Sequence, residues 1–198
     1  MQTPREFAKN YLTNLKAVLD RLPLEKYEES VKLIEAAHAA GKQIFIIGNG
    51  GSAATASHMM NDLCKGTVGH KGDAPWKRFK VIALTDNVSL MTAWANDTDY
   101  NHVFSEPLKN FAQPGDLLLA ISASGNSPNI IVAVEVAKQL GLKVIGWAGF
   151  TGGKLAQLAD VAVVVPSPDY GPVEDVHMIF DHMLTAYLYE KLKAQHAA

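Results

Sequence analysis

Two turns rich in glycine and serine carry the strongest chemical signal in this chain. They are Gly48-Asn49-Gly50-Gly51-Ser52 and Ser122-Ala123-Ser124-Gly125-Asn126-Ser127, and each lies between an apolar β-type run and a helical pattern. Such turns aim several backbone N–H groups and small hydroxyls at one spot beside a helix N-terminus, which is how a phosphate or a sugar oxygen is held. In the second turn Ser122, Ser124 and Ser127 offer three hydroxyls, and Gly125 lets the backbone curl so that successive N–H groups converge. Two such turns at equivalent places point to a phosphorylated polyol. Gly48–Ala53 also fits the loose G-x-G-x-x-A spacing of a dinucleotide site. The acidic residue that should close the next strand would then be Asp86, too far along, and the second turn would have no role.

Titratable side chains gather in two helical patterns. His58 and Asp62 stand four apart in Gly51–Cys64, so both project from one face, as a functional pair or as an ordinary surface ion pair. Glu174, His177, Asp181 and His182 crowd nine positions of the closing helical stretch, Pro172 to Ala194. With 3.6 residues per turn, Glu174, His177 and Asp181 share a face while His182 lies roughly 80° round from Glu174. The inward group can therefore be His177, Asp181 or His182. Asp86 and the pair Asn96-Asp97 add polar groups after the second strand, although turn-forming Asp and Asn need no function to explain them.

These residues need a scaffold, and apolar patterning supplies one. Short continuous apolar runs occur at Gln43–Gly48, Phe79–Thr85, Asp116–Ile121, Leu142–Ala148 and Asp160–Val165, with helix-length segments between most of them. Strands without polar alternation are buried on both faces, which predicts a parallel sheet covered by helices on either side. Ligands in such sheets bind beyond the carboxyl ends of the strands, where both glycine-serine turns fall. A helix is expected over Pro128–Leu140, with proline at an early position that tolerates its missing N–H.

Ahead of the sheet, Phe7, Tyr11, Leu15, Val18 and Leu22 recur at helical spacing, and a second helix is expected from Tyr27 to Ala40. Their apolar stripe can pack on the domain or on another subunit. The non-periodic loop Gly66 to Lys77, with Trp76, has the length of a site-covering or interface segment. The expected organisation is one domain over residues 1–198, with N-terminal helices over 1–40 and an α/β core over 41–198.

Composition narrows the function classes. The 198 residues are 48% hydrophobic and 19% charged, enough for a real core. A net charge of −2 without a dense Lys/Arg tract argues against nucleic acid as the main partner. The single Cys64 forms no internal disulfide, the start of the chain lacks the apolar core of a signal peptide, and no run approaches a membrane span. A cytoplasmic protein with no membrane partner is expected.

The second turn resembles the S-x-S-G-x-S phosphate loop of sugar isomerase (SIS) domains. Gly48-Asn49-Gly50-Gly51-Ser52 resembles the first loop of the subfamily containing sedoheptulose 7-phosphate isomerase, and the likeness runs from the N-terminal helices through the last helix. The resemblance implies a three-layer α/β/α sandwich around a five-stranded parallel sheet, assembled as a homotetramer through the N-terminal helices. It places Ser122, Ser124 and Ser127 on the phosphate and Asn49, Gly50, Gly51 and Ser52 at the sugar end. Asp97, in the Asn96-Asp97 pair, would hold sugar hydroxyls or the first loop.

The same resemblance makes Asp62 the base and His182 the acid or second base, with zinc held by His58, Asp62, Glu174 and His182. Three departures stand out: Asp62 where the isomerase has Glu, Glu174 where Gln is common, and Ala123 where Thr is usual. The implied reaction interconverts sedoheptulose 7-phosphate and D-glycero-D-manno-heptose 7-phosphate by aldose–ketose proton transfer. The alternative is a non-catalytic SIS protein that binds a sugar phosphate or a partner. Retention of Asp62 and His182 favours the enzyme.

Overall fold

A computed structural model describes residues 2–69 and 72–196, so His70 and Lys71 of the loop Gly66 to Lys77 lie outside the described residues. Two helices open the chain, α1 (Pro4–Leu19) and α2 (Leu24–Ala40). The sheet strands are β1 (Gln43–Gly48), β2 (Lys80–Ala83), β3 (Leu117–Ser122), β4 (Lys143–Ala148) and β5 (Val161–Val164). Between and after them run α3 (Gly51–Lys65), α4 (Val88–Asp97), α5 (Ser105–Phe111), α6 (Pro128–Gln139), α7 (Gly153–Leu158) and α8 (Tyr170–His196).

All four strand pairings are parallel, in the order β2-β1-β3-β4-β5. The five-stranded parallel sheet expected from the apolar runs is therefore present, with helices on both sides. Strand order reverses between β1 and β3, the place where open α/β sheets leave a crevice for ligands. Both glycine-serine turns leave the strands that flank this reversal.

Successive strand residues point to opposite faces, and each face has its own core. Ile44, Ile46, Leu117, Leu119, Ile121 and Trp147 pack with Ile34 of α2, Met59 and Leu63 of α3, and Val176, Phe180 and Leu184 of α8. On the other side Phe45, Ile47, Leu118 and Ala120 meet Phe104, Leu108, Ile130, Val134 and Leu155. Each fully buried aliphatic or aromatic side chain here contributes about 1.5–3 kcal/mol by leaving water.

Element edges differ from the sequence expectation for local reasons. Helix α1 starts at Pro4, ahead of the first apolar position Phe7, because Thr3 and Glu6 form a reciprocal capping box; this polar first turn has no apolar period to reveal it. Helix α4, to which the sequence reading gave no bounds, starts where the Asn87 side chain accepts the Leu90 N–H at 3.0 Å. Helix α8 begins at Tyr170 rather than Pro172, since proline in a first turn removes no intrahelical bond.

The turn after β3 is locked against its neighbour. Gly125 has φ +65°, and a Cβ there would overlap the Gly152 carbonyl oxygen in the loop between β4 and α7. Leu155 N–H donates to the Gly125 carbonyl at 2.9 Å and Lys154 N–H to Asn126 Oδ1 at 3.0 Å. Deep in the other core, His177 stacks on Trp147 and its Nε2 lies 3.3 Å from the Ala148 carbonyl. Burial pulls its pKa from the ordinary 6.5 down to about 4, outweighing the opposing hydrogen bond to Ala148.

Gly125→Ala should lower unfolding free energy by at least about 2 kcal/mol, from the left-handed backbone and the overlap together. Urea denaturation measures this; a change within about 0.5 kcal/mol would show that the loop contact is soft. His177 stays neutral in the fold but protonates near its ordinary pKa once unfolded. Its contribution is therefore fully present above pH 6.5 and disappears as pH falls toward 4. Relative to His177→Gln, the wild-type protein should lose about 3 kcal/mol across that window. A pH-independent difference between the two denaturation series would contradict the buried neutral imidazole.

Candidate active site

The two turns meet in one cavity of about 140 Å3 lined by Asn49, Ser52, Ile121, Ser122, Ala123, Ser124, Ser127, Tyr170 and Glu174. Helices α3 and α6 both begin there; Gly50 offers no capping side chain and the Ser127 hydroxyl makes no cap bond, while inside the first turn of α6 the Asn129 Oδ1 accepts the Ile130 N–H at 3.0 Å. The Ser127 Oγ instead lies 3.5 Å from the Ser122 Oγ, while the Ser124 Oγ accepts the Asn126 N–H at 3.2 Å. Free helix N–H groups carry partial positive charge, so the cavity suits an anion.

Asn49 ties the turns together. Its amide pairs reciprocally with that of Asn129 in the first turn of α6, at 2.8 and 2.9 Å, and its Oδ1 also accepts from the Tyr100 hydroxyl at 3.2 Å. Asn129 is buried and was not singled out by sequence; an Asn directly after Ser127-Pro128, at the start of an expected helix, was the available signal. Gly50, at φ +53° and ψ −120°, makes the bend that aims α3 at the cavity. Glu174 stands against the same helix start: a Cβ on Gly51 would lie 2.6 Å from Glu174 Oε2. A carboxylate there is stabilised by the helix dipole.

Helices α3 and α8 run side by side from this point, Gly51 beside Glu174 at one end and Gly66 beside Thr185 at the other. Between these contacts sits a second cluster. The Nε2 atoms of His58 and His182 are 3.2 Å apart, and His58 Nε2 is 3.5 Å from Asp62 Oδ2. Asp62 Oδ1 accepts from Asn61 at 3.0 Å. One donor atom from each of His58, Asp62, Asp181 and His182 lies within 4.8 Å of the others.

Asp181 is fully buried, and neither of its oxygens has a hydrogen-bond partner. Burial, and after it the negative Asp62, push its carboxyl up to about 7. An unsatisfied buried carboxylate beside two imidazoles is a donor set suited to zinc, so the residues present fit a metal ion.

The sequence-expected residues thus divide. Asn49, Ser52, Ser122, Ser124, Ser127 and Glu174 line one cavity, with Gly50 and Gly51 shaping its rim. His58, Asp62 and His182 form the second cluster, roughly 9–10 Å along the α3–α8 seam by helical rise. Glu174, expected as a metal ligand, is not in that cluster; it lies two helical turns before Asp181, which occupies the fourth place. Asp97 is also apart: it ends α4, is exposed, and accepts from Asn96 at 2.8 Å. Asp86 accepts from Ser57 and Thr85, fastening the loop after β2 to α3. Tyr170 was missed because nothing in its sequence surroundings marks it; its ring rests edge-on against Phe150, which has φ 53°.

The chain is 38% identical over 189 residues to the phosphoheptose isomerase of Mycobacterium tuberculosis, covering 95% of this chain and 93% of that protein. The phosphoheptose isomerase GmhA from Neisseria gonorrhoeae superposes with a TM-score of 0.85 at 28% identity, covering 94% of this chain and 98% of the other. A phosphoheptose isomerase from Francisella tularensis gives 0.86 at 26% identity, with 96% and 100% covered. The family model described as SIS domain matches residues 9–149, from within α1 to the loop after β4 and through both glycine-serine turns. The chain belongs to the SIS domain family.

Proposed function

We propose that the chain is a phosphosugar isomerase that interconverts sedoheptulose 7-phosphate and D-glycero-D-manno-heptose 7-phosphate, a step toward heptose for cell-surface polysaccharide. The observation that carries this reading is the α3–α8 seam, which joins an anion cradle at its start to a carboxylate–imidazole cluster farther along. The relatives above bear the same activity in their names, at up to 38% identity over nearly the whole chain.

Ser122, Ser124 and Ser127 hold the phosphate with the N–H groups that open α6. Asn49, Gly50, Gly51, Ser52 and Glu174 meet the sugar. The phosphate is remote from the reacting carbons, so its binding energy fixes the substrate and positions C1 and C2 outside the chemical step. From the ketose, Asp62 takes a proton from C1 to give the enediol, and a proton returned to C2 yields the aldose. His182 moves the proton between the two oxygens. A carboxylate has two oxygens, so Asp62 can lend one to a metal and keep the other for the proton.

His58, Asp62 and His182 are the donors for zinc; when bound, the ion supplies a Lewis acid for the sugar oxygens. A protein that only binds a sugar phosphate would need neither Asp62 nor His182. No described helix is long and apolar enough to cross a membrane, in keeping with a cytoplasmic enzyme. Helix α1 leaves Phe7 and Leu12 more than 60% exposed, a face suited to a homotetramer.

Purified protein should convert sedoheptulose 7-phosphate to an aldose phosphate in an NMR assay. Asp62→Asn should lower kcat at least about a hundredfold while inorganic phosphate still binds; unchanged turnover in that variant would remove Asp62 as base. Light scattering should give four times the 21.4 kDa protomer mass, and Phe7→Asp should shift it downward. A monomer at micromolar concentration would exclude the tetramer.

A further inference from the structure

The amide pair of Asn49 and Asn129 joins the two turns, and a third group decides its polarity. Inside the first turn of α6 the Asn129 side chain faces the Ile130 N–H at 3.0 Å. A backbone N–H can only donate, so the atom opposite it is the Asn129 oxygen, although the same N–H also reaches the Ser127 carbonyl at 3.0 Å. Turning the Asn129 amide over would set two donors against each other at a side chain that is 2% exposed, with no water to relieve them.

With that oxygen fixed, the Asn129 nitrogen is the atom that donates to the Asn49 oxygen at 2.9 Å, and the Asn49 nitrogen donates back to the Asn129 oxygen at 2.8 Å. The Tyr100 hydroxyl, from the turn after α4, donates to the same Asn49 oxygen at 3.2 Å. An amide oxygen has two lone pairs and an amide nitrogen two hydrogens. Both lone pairs of Asn49 are therefore taken. One hydrogen has no partner among the described residues, and Asn49 lines the cavity between the glycine-serine turns.

We propose that Asn129 is a positioning residue that, with Tyr100, turns the Asn49 amide so that it offers the ligand one N–H and no acceptor. Asn129 is buried and is not among the residues that line the cavity, so it acts through Asn49. The group met by the remaining N–H is an acceptor oxygen, on the phosphoryl group or on the sugar chain. An ammonium in that place would meet a second donor, which disfavours an amino sugar there. The identity of the ligand rests on the isomerase reading; the direction of the amide does not.

Steady-state kinetics on sedoheptulose 7-phosphate compares wild type with two variants. Asn129→Asp is an isostere that lacks the donor to Asn49, and its KM should rise at least about tenfold with kcat within about threefold, since binding is lost and the chemical step is not. Asn129→Leu, which carries no charge, should raise KM as much; a rise in the Asp variant alone would mark repulsion of the anion and overturn the assignment. Tyr100→Phe alters an exposed side chain and keeps the point testable should both Asn129 variants fail to fold: losing one of two donors, it should raise KM about two- to fivefold. In proton–nitrogen correlation spectra of the full chain, the Asn49 side-chain amide is assigned by its disappearance from Asn49→Ser. One of its two proton signals should move when ligand is added while the other, bonded to Asn129, stays. Movement with inorganic phosphate places the acceptor oxygen on the phosphoryl group, movement with sedoheptulose 7-phosphate alone places it on the sugar, and either upholds the assignment. An unchanged KM in Asn129→Asp, whatever its kcat, or two Asn49 protons indifferent to both ligands would overturn it. A wild type that turns over no ketose phosphate but shows the one-proton shift would uphold the amide direction and defeat the isomerase reading instead.

Discussion

The close parallel approach of α3 and α8 is the constraint on which the site depends. At Gly51 there is no room for a side chain beside Glu174, and at Gly66 a Cβ would come within 2.9 Å of Thr185. These two contacts fix the register of the helices. Buried Met59, Leu63, Val176, Phe180 and Leu184 hold them against the sheet. Because packed interiors deform little, the positions of His58 and Asp62 relative to Asp181 and His182 follow from the core rather than from any bond within the cluster.

Sheet order supplies the second requirement. With β1 and β3 adjacent at the reversal, the turns that follow them open side by side, and the reciprocal Asn49–Asn129 amide pair joins them. The cradle and the seam then share an element: α3 starts in the cavity at Ser52 and carries His58 and Asp62 two to three turns on.

Much of this was legible in the residues. Five apolar runs of strand length mark the sheet because strands buried on both faces cannot alternate, and glycine-serine turns at two of their ends mark the cavity. The resemblance to SIS domains rests on the same turns, and the family match bears it out. Less was legible where contacts across the sequence decide. Helix α4 depends on the Asn87 cap, which reads equally as a turn. On α8, angular position alone could not choose among His177, Asp181 and His182. The fold gives each a different surrounding: His177 lies in an apolar core against Trp147, Asp181 sits in the seam, and His182 stands at its edge. Glu174, given to the metal by its place in the family pattern, has its carboxylate against Gly51 at the cavity, a contact that its position in the sequence does not reveal.

The uncapped start of α6 has an energetic consequence. A serine at this position ordinarily satisfies an orphan amide of the first turn and contributes about 1 kcal/mol to helix stability. Ser127 forgoes that bond and turns its hydroxyl toward Ser122; Pro128 has no N–H and Ile130 donates to Asn129 Oδ1, so the cap that Ser127 does not make concerns one first-turn amide, that of Asn129. An anion resting on that amide would supply the bond that the Ser127 hydroxyl withholds. The ligand thus acts as the missing end of a helix, and occupancy and folding become linked through one hydroxyl's change of partner.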